Sequence, residues 1–146
     1  MAAHQNNLWA SCSLGELNVT RELLLAGADP NTRGGGYDYT CLMMATNGNE
    51  EEVVDLLLAQ PNIEVNAKDN DKNSTALHFA CRTRTRNIAI LGKLLAVPGI
   101  LVNERDNNGW TPIMWAITYG KPEAIRMMAA VEDVDLDVRS YDGRSL

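Results

Sequence analysis

Two histidines, three cysteines and a run of three glutamates are the side chains here with the clearest claim to chemistry. A catalytic relay or a metal centre needs such groups at relay or ligand spacing. His4 lies in the lead segment, and His78 has no second histidine near it. Cys12, Cys41 and Cys81 are an odd number on separate segments, so they form no disulfide framework and read as buried structural thiols. Glu50-Glu51-Glu52 opens an apolar helical segment, where carboxylates complement the helix dipole and face solvent. Gly34-Gly35-Gly36 is a phosphate loop in composition only: no Gly-Lys-Ser/Thr follows, and a flexible turn is predicted. The Met127-Met128 pair reads as soft core rather than a cofactor box. No catalytic residue, metal, cofactor or small-molecule substrate is expected.

One local cluster stands apart from this inventory, Arg82-Thr83-Arg84-Thr85-Arg86-Asn87. It reads either as a solvated turn or as a contact for an anion or an acidic partner. The chain as a whole carries a net charge of −6 and a pI near 4.8, which argues against nucleic-acid binding. No apolar run reaches the roughly 18 residues a membrane span needs. The first residues have neither a basic nor an apolar signal region. A cytoplasmic or nuclear, monomeric protein is expected.

The elements that position these residues recur with a fixed period. Thr-x-Leu-x-x-Ala is found as Thr40-Cys41-Leu42-Met43-Met44-Ala45 and Thr75-Ala76-Leu77-His78-Phe79-Ala80. Thr111-Pro112-Ile113-Met114-Trp115-Ala116 is a third copy, with Ile for Leu. The threonines stand 35 and 36 residues apart. Asn31, Asn66, Asn103 and Asp137 keep the same phase, 35, 37 and 34 residues apart. Two markers with one period signal a repeat array. Each threonine is a helix N-cap candidate, and Pro112 suits the first helical position after Thr111. Ahead of it, Asn107-Asn108-Gly109 supplies turn chemistry, with Gly109 free to take positive φ.

On these motifs the chain resembles the ankyrin-repeat family. Gly27-Ala28-Asp29-Pro30-Asn31 matches the end of the family's pattern, and Thr75-Ala76-Leu77-His78-Phe79-Ala80 and Thr111-Pro112 match its start. The resemblance implies an all-α solenoid of helix-turn-helix units with β-turn fingers. It implies that His78 hydrogen-bonds the adjoining finger backbone. It also makes Asn31, Asn66 and Asn103 candidates for asparaginyl hydroxylation, although a structural role bridging neighbouring turns is expected first.

Along the chain, residues 1–6 read as a disordered lead and 7–146 as the repeat domain. Its units are 7–31 (an N-terminal cap repeat), 32–66, 67–103, 104–137 and the start of another at 138–146. Asn49 is expected to take positive φ where the family has Gly. Unit 67–103 carries two extra residues between Ala80 and Leu94-Leu95, so its inner helix is longer or its turn is rebuilt, with Asn87 a candidate for positive φ. The chain stops where a fifth inner helix would begin, so a longer parent protein is expected.

Partner binding is expected on the concave face of fingers and inner helices. Carrying finger and helix-end positions over gives Tyr37, Tyr39, Lys72, Arg82, Arg84, Asn108, Trp110 and Tyr119, rich in aromatic and arginine hot-spot types. Trp110 reads either as a contact or as packed on its own finger. Trp9, Met43, Phe79, Met114 and Trp115 fall on positions expected to pack between repeats. The function expected is non-catalytic binding of a protein partner. The alternative is a targeting or regulatory region of a longer enzyme or signalling protein whose active part lies beyond Leu146.

Overall fold

The computed structural model describes residues 7–85, 88–137, 139–140 and 142–143. The expected lead at 1–6, and Asn87 with its expected positive φ, lie outside these. Helix α1 (Leu8–Leu14) is followed by α2 (Leu17–Leu25), and a short antiparallel ribbon comes next, β1 (Arg33–Gly34) with β2 (Tyr39–Thr40). Three more helix pairs follow: α3 (Cys41–Asn47) with α4 (Glu51–Leu58), α5 (Ala76–Arg82) with α6 (Ala89–Leu95), and α7 (Pro112–Thr118) with α8 (Pro122–Ala129). The inner helices stack in series, α1 on α3, α3 on α5 and α5 on α7. The outer helices α2, α4 and α6 stack likewise, while α8 rests mainly on α7. This is the all-α solenoid that the resemblance implied.

Caps start the inner helices. Asn7 Oδ1 accepts from the amides of Trp9 and Ala10 at 3.0 and 3.4 Å. Thr40 Oγ1 accepts from the Met43 amide and Thr75 Oγ1 from the His78 amide, at 3.2 and 3.4 Å. Thr111 departs from the expected side-chain cap. Its hydroxyl is buried without a partner among the described residues, and Pro112 instead fixes the backbone of the first helical residue. The residue two before each threonine takes the left-handed conformation: Asp38 at φ 59°, Asn73 at 59° and Gly109 at 76°. Asn49, at φ 61°, closes the inter-helix turn of the second unit as expected. In the third unit α5 ends at Arg82, so the two extra residues rebuild the turn and do not lengthen the helix.

The core is a continuous file of aliphatic side chains, with Leu42, Leu57, Leu77, Leu91, Leu94, Ile113 and Met128 fully buried. Burying one such side chain stabilises the fold by about 1.5–3 kcal/mol. The triple glycine is more constrained than a flexible turn. A Cβ on Gly34 would stand 2.5 Å from the Trp9 indole, so that ring can approach the ribbon only because position 34 is glycine.

Two hydrogen-bond series lock the units together. The Asn31 amide donates to the Asn62 carbonyl and accepts from the Glu64 amide, both at 2.8 Å. Asn66 bridges Gly99 and Leu101 in the same way, and Asn103 bridges Asp133 and Asp135. The second series was not anticipated from the sequence. Arg33 donates to the Lys68 carbonyl at 2.8 Å, Lys68 to the Arg105 carbonyl at 3.1 Å, and Arg105 to the Arg139 carbonyl. A cation two residues after each closing Asn thus reaches the matching backbone of the next unit. The signal was present, because Arg33, Lys68, Arg105 and Arg139 keep the period of Asn31, Asn66, Asn103 and Asp137.

Candidate functional site

His78 is a structural residue by geometry. Its Nδ1 lies 3.1 Å from the Thr75 amide and its Nε2 2.9 Å from the Trp110 carbonyl. An amide can only donate and a carbonyl can only accept, so the ring is the neutral Nε2–H tautomer. Burial holds its proton affinity below the ordinary histidine range, in keeping with that form. The cysteines are buried and free. Burial pushes the Cys81 thiol up to about 12. A shared hydrogen bond with Cys12, together with burial, pushes the Cys41 thiol up as well, and Cys41 donates to the Thr32 carbonyl at 3.3 Å. Neither Cys41 nor Cys81 is a ready nucleophile. Among the described residues no group of His, Cys, Asp and Glu could hold a metal ion. No helix of the described residues is long and apolar enough to cross a membrane.

The aromatic candidates meet on one face in two runs of ring contacts joined by the Arg82 guanidinium. Tyr37 lies 5.9 Å from Tyr39, and Tyr39 meets Phe79 edge-on at 5.6 Å. The Arg82 guanidinium sits 4.2 Å above Phe79 and 5.9 Å from Trp115. Trp115 in turn contacts Trp110 at 4.6 Å and stacks on Tyr119 at 5.8 Å. Such pairs favour offset or edge-to-face packing, and guanidinium over a ring adds a cation–π attraction. The line runs across the second, third and fourth units. Tyr37 and Tyr119 are exposed at its ends, 53% and 48%.

Tyr39, Arg82 and Trp110 are half-buried within the line. Tyr39 donates its hydroxyl to Asp71 at 3.3 Å, and burial and that carboxylate raise its pKa. Trp110 packs on Trp115 while its carbonyl serves His78, so self-packing describes its ring. Lys72 and Asn108 are exposed on the neighbouring fingers, where the Lys72 carbonyl accepts from the Asn107 amide at 2.8 Å. Arg84 is exposed and stands off the line, in the rebuilt turn. Arg86 lies outside the described residues.

Trp115 packs against the core and reaches Arg82 of the third unit, in keeping with the expected packing between repeats. It is only half-buried and forms the hub of the ring contacts. Its indole N–H donates to Asp106 Oδ2 at 2.8 Å. Asp106 Oδ1 meanwhile accepts from the Asn108 and Trp110 amides and so organises the finger. In the third unit Asp69 holds the corresponding finger through the amides of Asp71, Lys72 and Asn73. Phe79 stands there in the place of Trp115, and Asp69 Oδ2 is buried without a partner among the described residues. Helical spacing alone could not separate a packed Trp115 from a rim Trp115, because position and residue type read the same in both cases.

Two grooves occupy equivalent places between neighbouring units. The one between the first and second units, about 400 Å³, is lined by Gly15, Leu17 and the stretch Asn49 to Val53. The other, between the third and fourth units, encloses about 660 Å³. Ala80, Ile88, Leu91 and Ala124 lie along it, with Arg84, Lys121 and Tyr119 among its other lining residues. Lys121 is partly desolvated, which lowers its pKa, and its Nζ donates to Thr83 Oγ1 at 3.3 Å.

Comparison with known proteins agrees with this architecture. Residues 68–142 match the family description of three-copy ankyrin repeats, and residues 37–70 match that of the single ankyrin repeat. The chain is similar to SMC5-SMC6 complex localization factor protein 1 of Mus musculus, 39% identical over 71 residues, which is 47% of this chain and 6% of that protein. It is 32% identical over 83 residues to alpha-latrotoxin-Lg1a of Latrodectus geometricus, 57% of this chain and 6% of the toxin. A probable serine/threonine-protein kinase of Dictyostelium discoideum is 31% identical over 113 residues, 75% of this chain and 13% of the kinase. The chain thus spans a small part of the length of each of these relatives. With matched repeats over most of its length and the stacked helix pairs they specify, the chain belongs to the ankyrin-repeat family, whose repeats are protein–protein interaction modules.

Proposed function

We infer that the chain binds a protein partner, without catalysis of its own, through the face that carries the line from Tyr37 to Tyr119. The observation that carries this reading is the line itself, with aromatic rings and an arginine in mutual contact across three units and exposed at both ends. Aromatics and arginine are enriched in binding hot spots, and tyrosine and tryptophan bury large area at low entropic cost. Tyr37, Tyr119, Lys72 and Asn108 supply the exposed contacts. Tyr39, Arg82, Trp110 and Trp115 hold the surface rigid beneath them. Rigidity lowers the ordering cost of association.

The test compares capture of interacting proteins by the native chain and by a Tyr37→Ala/Tyr119→Ala variant of unchanged circular dichroism. A directly binding partner retained by the first, and weakened by more than about 1 kcal/mol in the second, supports the reading. Equal affinity for both would reject it. The reading also puts the protein in a reducing, cytoplasmic or nuclear compartment, in keeping with three free buried thiols. Fractionation that finds it secreted would contradict this.

The small share of each relative that the chain covers favours a second reading, a targeting or regulatory region of a longer enzyme or signalling protein. A coding sequence that continues past Leu146 into a catalytic domain supports it, and a stop codon there contradicts it.

A further inference from the structure

The groove between the third and fourth units differs from its counterpart in chemistry as well as size. Its rim carries Arg84 and Lys121 on a chain whose net charge is −6. Among the described residues the one carboxylate lining it, Glu123, is bonded to Arg126 one turn along its own helix. Ile88, Leu91, Ala80 and Ala124 give it an apolar floor, with Pro122 beside them. Its volume, about 660 Å³, falls in the range of pockets that enclose compact ligands. It lies just beyond the end of α5 at Arg82, where α8 rests mainly on α7. Tyr119 belongs both to this groove and to the end of the ring line, so the two surfaces are continuous.

We propose that this groove docks an acidic segment of the protein partner, with a carboxylate side chain between Arg84 and Lys121 and an adjacent apolar side chain on the Ile88–Leu91–Ala124 floor. The assignment rests on the interaction reading above and gives that partner its chemistry. Charge complementarity selects the carboxylate, since an arginine fork and an ammonium both form charge-assisted hydrogen bonds with it. The apolar floor selects the neighbour. A basic segment would bring like charges together and is disfavoured.

The test is a titration of the uniformly ¹⁵N-labelled full chain with three capped tetrapeptides, Ser-Glu-Leu-Ser, Ser-Gln-Leu-Ser and Ser-Lys-Leu-Ser, followed by amide chemical shifts. The Glu peptide is expected to shift the amides of Thr85, Ile88, Gly120 and Ala124. The Gln peptide should bind about tenfold more weakly and the Lys peptide not measurably, since a charge-assisted contact is lost and then reversed. Arg84→Glu/Lys121→Glu should abolish the shifts, and Arg84→Lys/Lys121→Arg should keep them. Both sites face solvent at least in part, and thermal unfolding checks the fold of each variant.

Equal shifts from the Glu and Gln peptides would overturn the proposal. So would shifts confined to Tyr37 and Trp110, or none at the solubility limit of the peptide. A captured partner that loses affinity for Tyr37→Ala but binds Arg84→Glu/Lys121→Glu unchanged would overturn the groove and leave the interaction reading standing.

Discussion

The grooves at the two ends of the array occupy the same place in the repeat and have opposite chemistry. Between the first two units, Glu50, Glu51 and Glu52 line the groove, and the Glu50 carboxylate sits where a Cβ on Gly15 would stand, 2.5 Å away. The groove is acidic and partly filled by its own side chain. Between the last two units, Lys121 takes the place of Glu50, Arg84 enters from the rebuilt turn, and the space beside Gly120 is open. The framework of bridging asparagines and aliphatic core is shared. Chemistry and length therefore vary at the inter-helix turns while the stacked core is kept, and a solenoid can change its surface without altering its core.

The comparison is sharpened first by removing the ring that supports Tyr119, the residue shared by groove and ring line. Trp115→Ala takes away the ring between Trp110 and Tyr119 and orphans Asp106 Oδ2. It should cost about 3 kcal/mol in urea unfolding. Trp115→Phe, which copies the third unit, should cost about 1–2 kcal/mol, mainly for the lost hydrogen bond.

Next comes the link between the third unit and the fourth finger. His78→Met, the residue that Met43 and Met114 place there in the second and fourth units, should cost about 1–2 kcal/mol, because the Trp110 carbonyl loses its donor, while a Met sulfur can still accept from the Thr75 amide as Met43 does from Thr40 at 3.4 Å. Native stability should also fall as pH drops below His78's ordinary value of 6.5. The folded ring has the lower pKa, so below 6.5 the unfolded chain binds more protons than the folded one. That stability is fully present above 6.5 and is lost toward the folded pKa. Urea midpoints across this range should slope for the native chain and lose the His78 contribution in His78→Met.

The smallest effects separate the two grooves directly. Gly15 and Gly120 both take positive φ, 70° and 61°. Alanine at either should cost about 1 kcal/mol from backbone strain. Gly15→Ala must also displace the Glu50 carboxylate, whereas Gly120→Ala meets nothing within 4 Å. Thermal unfolding should rank Gly15→Ala as the more destabilised, and equal losses would remove the claim that Glu50 fills the first groove.

Much of the fold was legible because the residues that build it repeat. Thr40, Thr75 and Thr111 marked the helix starts, Asn31, Asn66 and Asn103 the bridges, and His78 its own hydrogen bonds. What escaped depended on partners far apart in sequence. The glycines at 34–36 read as flexible until Trp9, packed against Gly34, showed why a side chain is excluded there. Thr111 had the sequence of a cap, yet its buried hydroxyl has no partner among the described residues. The cation series from Arg33 to Arg105 was in phase and readable, but one basic residue per unit resembles ordinary surface charge. The candidate site was half legible. Tyr37, Tyr39, Arg82, Trp110 and Tyr119 were marked by type and position, while Trp115 was read as packing and its place at the hub of the ring line was not. The third-unit groove could not be read at all, because it depends on how the rebuilt turn and α8 diverge.

The central claim is that one face, from Tyr37 to Tyr119, meets the partner. A photo-crosslinking amino acid placed singly at Tyr37, Tyr119 or Leu25 tests it most directly. Leu25 is 81% exposed on outer helix α2 and serves as the control. The account predicts partner crosslinks from positions 37 and 119 and none from 25. Crosslinks from position 25, with none from the other two, would place recognition on the outer helices and contradict it.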